Sequence, residues 1–193
     1  MADSKDRRSL RTRRALTAAL MDLMRDRRYD AITIQQITDR ADVGRSTFYA
    51  HFTGKDDLLA DGVRFLVASF AESEPRPELA LLRHLGVQAE LYQVMARSRA
   101  LPVFLSALHD ELATRLTRHL QSRVPPGREP ELPPPLLAAM VTGMFLTMVR
   151  SWLETGAHEP AEALHHMFQT VSEPAIEAGL RGQKPGTASA VGL

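Results

Sequence analysis

Along most of the chain, apolar residues recur at spacings of three and four, and no sustained two-residue alternation appears. Leu16, Leu20, Leu23 and Met24 fall on one face of a helix predicted over residues 7–28, and a short second helix is expected at 34–41. A third follows at 45–52, and a fourth at 54–71 carries Leu58, Leu59, Val63, Leu66, Val67 and Phe70. Further helices are expected at 77–86, 88–98, 102–123, 134–155 and 160–179. The pattern predicts an all-α protein of about nine helices, a three-helix head followed by a larger helical body.

Proline marks the divisions. None precedes Pro75, and all twelve lie from there onward, with Pro75-Arg76-Pro77 closing the fourth helix. Pro125-Pro126-Gly127 and Pro133-Pro134-Pro135 separate the later helices. The expected organisation is a flexible basic arm at 1–6, a helix-turn-helix unit at 7–57, a body at 58–180 and a disordered, small-residue tail at 181–193.

Composition narrows the classes. The 193 residues are 44% hydrophobic, enough for a core, and contain no cysteine, which excludes a disulfide framework and any thiolate-ligated metal. The charge-free run 132–149 opens with three prolines, leaving about 14 helical residues, short of the ~20 that span a bilayer. A cytoplasmic protein with no membrane partner is expected. The net charge of +1 conceals a basic stretch in which Lys5, Arg7, Arg8, Arg11, Arg13 and Arg14 meet only Asp6. Such a stretch suits contact with a polyanion, and equally a solvated helix start.

The informative segment is 32–55. Thr33 and Gln36 fit a capping box opening the second helix, with Ile32 and Ile37 placed for a hydrophobic staple. Asp42-Val43-Gly44 reads as a tight turn, and Thr53-Gly54-Lys55-Asp56 as a second capping-box-like start. Two short helices joined by such a turn make a helix-turn-helix. In the third helix, at about 100° per residue, Phe48 and Phe52 share the core side. Ser46, Thr47 and Ala50 point away, flanked by Tyr49 and His51, with Arg45 in the first turn. Small outward residues and no acid let a backbone approach a major groove, where Arg45 can reach a guanine edge. A plain structural helix hairpin is the alternative on these residues alone.

The run from Ile34 to Leu59 also resembles the DNA-binding head of the tetracycline-repressor (TetR/AcrR) family. Ala-Asp-Val at 41–43, Thr-Phe-Tyr-x-His-Phe at 47–52 and Lys-x-Asp-Leu-Leu at 55–59 carry the likeness, which covers about residues 10–60. The resemblance implies a homodimeric transcriptional regulator, usually a repressor, that binds a palindromic double-stranded operator and is released by a small ligand. It implies phosphate contacts from Thr33, Tyr49, His51 and Lys55, and base-edge contacts from Arg45, Ser46 and Thr47. Gly44 stands where relatives often have Ser, and Ala50 is smaller than the aromatic or His often found there.

The body supplies candidates for dimer and pocket. The 134–155 helix is apolar nearly all round, so one face suits the subunit interior and another a partner, the alternative being the central helix of a monomer. Met140, Met144, Met148 and Trp152 recur every four residues. With Leu85, Tyr92, Met95, Phe104 and Leu108 they suit an apolar ligand pocket, with Tyr92 or His109 as polar anchors, and equally a plain core. A hydrophobic or aromatic effector is expected. The alternatives are a DNA-binding regulator without an effector, and a helical protein-binding adaptor. No cofactor and no catalysis are expected: His109-Asp110-Glu111 and His165-His166 do not form a zinc helix, and no nucleophile elbow, phosphate loop or dinucleotide glycine pattern is present.

Overall fold

The computed structural model describes residues 2–181, and the tail expected beyond Arg181 lies outside them. Nine α-helices and one 3₁₀ turn make up the described residues, with no β-strand. The head comprises α1 (Ala2–Asp26), the 3₁₀ turn (Tyr29–Ala31), α2 (Ile34–Ala41) and α3 (Arg45–Tyr49). The body comprises α4 (Lys55–Ser73), α5 (Pro77–Val87), α6 (Ala89–Ala96), α7 (Ala100–Arg123), α8 (Pro134–Glu154) and α9 (Ala161–Leu180). α1 begins at Ala2, so residues 2–6 lie within the first helix. Positions 3–6 hold no apolar residue, so apolar periodicity could not place that start.

One apolar cluster runs from the head into the body. Leu16, Leu20, Ile37 and Phe48 are fully buried in the head, and Leu58, Leu82, Leu85, Leu108 and Val149 continue the same cluster in the body. α4 packs against α1 on one side and α7 on the other, so the boundary expected at residues 57 and 58 falls inside a continuous helix. Where α1 and α4 cross, Gly62 allows close approach: a Cβ there would stand 2.8 Å from Cγ2 of Thr17. A second cluster, of Leu120, Leu137, Ala138, Val141 and Leu180, closes the far end of the body.

α8 spans Pro134–Glu154, close to the expected 134–155. Pro134 and Pro135 sit in its first turn, where a missing N–H costs nothing, so it reaches 21 residues. Among the described residues it is one helix long and apolar enough to cross a membrane, and half of that window is buried in the subunit. Its Leu137, Val141, Phe145, Val149 and Trp152 face inward.

Candidate nucleic-acid interface

Each short helix of the head is set by local chemistry. The Thr33 hydroxyl accepts from the Gln36 amide at 3.3 Å, and the Gln36 side chain accepts from the Thr33 N–H at 3.0 Å, completing the capping box. The turn into α3 is made by Asp42, whose φ of 51° is left-handed, while Gly44 is extended. Aspartate tolerates that conformation because its short side chain can bond locally. Gly44 is the N-cap of α3 without a side-chain bond, and a Cβ there would meet only ordinary contacts with Thr47 and Ser46. The start of α4 differs from the expected box. Gly54 is its N-cap, and Asp57 reaches back to accept from the Thr53 N–H at 3.0 Å and hydroxyl at 3.3 Å.

α3 is shorter than predicted, ending at Tyr49 with a turn through Ala50 and His51, yet Phe52 remains buried beside Phe48. The outward surface is as expected. Arg45, Ser46, Tyr49 and Ala50 are exposed, Thr47 is half-buried, and no acidic residue lies between Arg45 and Phe52. The Arg45 guanidinium lies 5.7 Å from the centre of the Tyr49 ring, and its Nη2 donates to the Tyr49 hydroxyl at 3.5 Å. Tyr49 in turn meets Phe48 edge-on at 5.4 Å, so a buried aromatic steadies the exposed one. His51 is half-buried against Phe52. Thr33 is exposed at the opening of α2.

Lys55 is bonded within the protein. Its Nζ donates to the carbonyls of Tyr29 at 2.8 Å, Asp30 at 3.2 Å and Ile32 at 2.9 Å, and sits 4.6 Å from the Tyr29 ring centre. An ammonium has three protons, and all three are used within the head. In the DNA-free chain Lys55 thus forms a clasp that ties α4 to the 3₁₀ turn. Sequence carries no sign of it, because the acceptors are main-chain atoms.

The same turn carries polar joints that the sequence reading missed. The Tyr29 hydroxyl donates to Asp56 Oδ1 at 2.5 Å. Burial first, then that carboxylate, pushes the phenol well above its ordinary value, so it stays a donor. Arg13 donates through two nitrogens to both carboxylate oxygens of the buried Asp61, joining α1 to α4. Charge order alone does not reveal pairs separated by 27 and 48 positions.

The expected pocket residues divide. Leu85, Tyr92, Met95, Phe104, Leu108 and Trp152 come together, but as buried members of the main apolar cluster, with Tyr92 and Phe104 rings 4.9 Å apart. Burial pushes the Tyr92 phenol well above its ordinary value. Met148 packs on their margin. Met140 is 58% exposed on the outer face of α8, Met144 is half-buried, and His109 lies on the surface of α7 with Nδ1 3.5 Å from Asp110. None of the ten lines the open groove of about 660 Å³ between α4 and α7. Of the adjacent histidines, His165 is buried and His166 exposed.

Residues 16–61 match the family described as bacterial regulatory proteins, tetR family. The matched head is of the tetR-family type. The helix-turn-helix regulator YxbF of Bacillus subtilis is 33% identical over 106 residues, 53% of this chain and 25% of that protein, so the chain spans about a quarter of that relative's length. A helix-turn-helix transcriptional regulator of Mycobacterium bovis is 26% identical over 197 residues, covering 95% of this chain and 91% of that one. Among solved structures, a TetR transcriptional regulator of Streptococcus agalactiae shares the fold with a TM-score of 0.60 at 24% identity, over 89% of this chain and 99% of that chain. FadR of Thermus thermophilus, a TetR-family repressor in complex with lauroyl-CoA, has a TM-score of 0.56 at 16% identity, over 92% and 100% of the two chains. The matched residues thus lie on the α1–α4 frame just described.

Proposed function

We propose that this tetR-family regulator is a cytoplasmic repressor that binds a palindromic operator as a homodimer and is released by a small effector. The observation that carries the reading is the outward face of α3: Arg45, Ser46 and Tyr49 exposed on a two-phenylalanine base, with no acid among them. That surface suits entry into a major groove, where Arg45 meets a base edge and hydroxyls hold phosphates. Thr33 and His51 flank it as phosphate contacts, and Lys55 supports it from within.

A single short helix reads only a few base pairs, so specificity calls for two heads about 34–36 Å apart, or a multiple, on successive grooves. Exposed Leu136 and Met140 on α8, with Met167 and Val171 on α9, offer the surface for a second copy. FadR's complex with lauroyl-CoA supports effector control, and the effector proposed here is small and has an apolar or aromatic body.

Selection of duplexes from a random pool, followed by fluorescence anisotropy across a salt series, tests the reading. A palindromic site should be enriched, and its affinity should fall steeply with salt, by about 0.9 in log K per log unit for each phosphate contacted. A pool that returns no preferred duplex would sink it.

A further inference from the structure

We propose that the open groove between α4 and α7 is the effector site, that its ligand is a small organic monocarboxylate with an apolar body, and that this carboxylate competes with Asp56 for Arg99. The proposal rests on the reading of the chain as an effector-controlled regulator and names the site and the ligand chemistry. The groove's volume of about 660 Å³ suits a small molecule. Ala60, Val103 and Ala107 give it apolar walls, and Arg64 and Arg99 bring two guanidinium groups to it. A guanidinium presents a planar fork that matches a carboxylate, so two of them beside an apolar surface select an amphipathic anion.

Both arginines have loosely held partners. The carboxylates nearest Arg64 are Asp61 at 3.5 Å and Asp57 at 3.9 Å. Asp61 already accepts from Arg13 on both oxygens, and Asp57 from Thr53. Arg99 pairs with Asp56 at 3.2 Å, whose other oxygen accepts from Tyr29. Asp110 and Glu111 also border the groove; Glu111 is taken by Arg115 at 2.6 Å, and Asp110 lies beside His109. Their negative charge disfavours a second anionic group on the ligand.

Arg99 also belongs to the joint between head and body. Its backbone N–H donates to Asp30 Oδ1 at 3.3 Å, and Arg28 donates to the carbonyl of Arg97 at 3.3 Å. Residues 97–99, between α6 and α7, are thereby tied to residues 28–30 and 56 of the head side. A carboxylate that draws the Arg99 side chain into the groove takes it from Asp56 and removes the ionic part of that tie. The competition is reciprocal, so neutralising Asp56 must strengthen carboxylate binding.

The test is calorimetric titration of the DNA-free full chain with phenylacetate and octanoate, with phenylacetamide and octanamide as neutral controls. At least one carboxylate should bind saturably, with its amide at least about tenfold weaker, and Arg64→Gln should weaken it about tenfold. Asp56→Asn should tighten it at least about threefold, a gain that a purely structural Asp56 would not produce. Circular dichroism and melting confirm that each variant folds, and Arg64→Lys, which keeps the charge, should fall between wild type and Arg64→Gln. The proposal is overturned if neither carboxylate saturates below about 10 mM, if the amides bind equally well, or if Asp56→Asn fails to tighten binding. No operator is needed for these titrations. A chain that binds duplex DNA but fails them loses this site alone, and one that passes them without binding DNA loses the operator reading.

Discussion

Arg45 and Lys55, two cations of one motif, sit in different surroundings. Arg45 is exposed, held only by a 3.5 Å bond to the Tyr49 hydroxyl and the face of that ring, so it can turn to a base edge at little cost. Arg45→Ala should cost about 1–3 kcal/mol of operator affinity and relax preference at one base pair, measured by anisotropy on the selected site and its single-base variants. Unchanged affinity would remove α3 as the reading element. Lys55 has three main-chain acceptors within 3.2 Å. Hydrogen bonds from a charged donor each contribute about 1.5–3 kcal/mol, and the freed carbonyls partly recover by meeting water. Lys55→Ala should therefore lower stability by about 2–4 kcal/mol, read by thermal and urea melting. The slope of log affinity against log salt should stay as in wild type, whereas a phosphate contact would reduce it by about one unit.

Among the elements, the crossing of α1 and α4 is set by one absent side chain. A Cβ at Gly62 would lie 2.8 Å from Cγ2 of Thr17, and a β-branched residue in a helix has little rotameric freedom with which to yield. Gly62→Ala gains up to about 1 kcal/mol of helix propensity but forces the two helices apart. The net effect should be a loss of about 1–2 kcal/mol, because overpacking costs about 1–3 kcal/mol. Thr17→Ser removes the obstructing methyl, so the double variant should recover most of that loss in the same denaturation experiment. An additive double variant would mean that the crossing is not limited by this contact. Helices of this kind were legible wherever a buried stripe alternates with polar positions, which is why α2 lies at 34–41 as periodicity predicts. What periodicity leaves open is the direction in which a stripe looks. Residues four apart drift by about 40° per step, so Met140 and Met148 differ by about 80°. Met140 therefore lies 58% exposed while Met148 packs on the core and Trp152, a further step on, is buried. The capping box at Thr33 was legible because both partners lie within one turn. The Lys55 clasp and the Arg99 joint were not, since their acceptors lie 23 to 69 positions away and include main-chain atoms.

At the scale of the whole molecule, the outer faces of α8 and α9 depart from an ordinary polar surface. Leu136, Met140, Met167 and Val171 are each at least half exposed although they are large and apolar. If a second copy covers them, Met140→Glu places a charge in that contact without touching the subunit core. The variant should elute as a monomer in size-exclusion chromatography with light scattering, keep its helical circular dichroism, and lose at least about tenfold in affinity for the full palindrome. A dimer that persists through this change would place the contact elsewhere.

The apolar cluster that joins Leu16 in α1 to Leu164 in α9 also shapes how such a molecule responds. Because this cluster is shared by head and body, the head has no core of its own about which to turn. A shift of the body helices packed in it should therefore carry α3 along with the rest of the head.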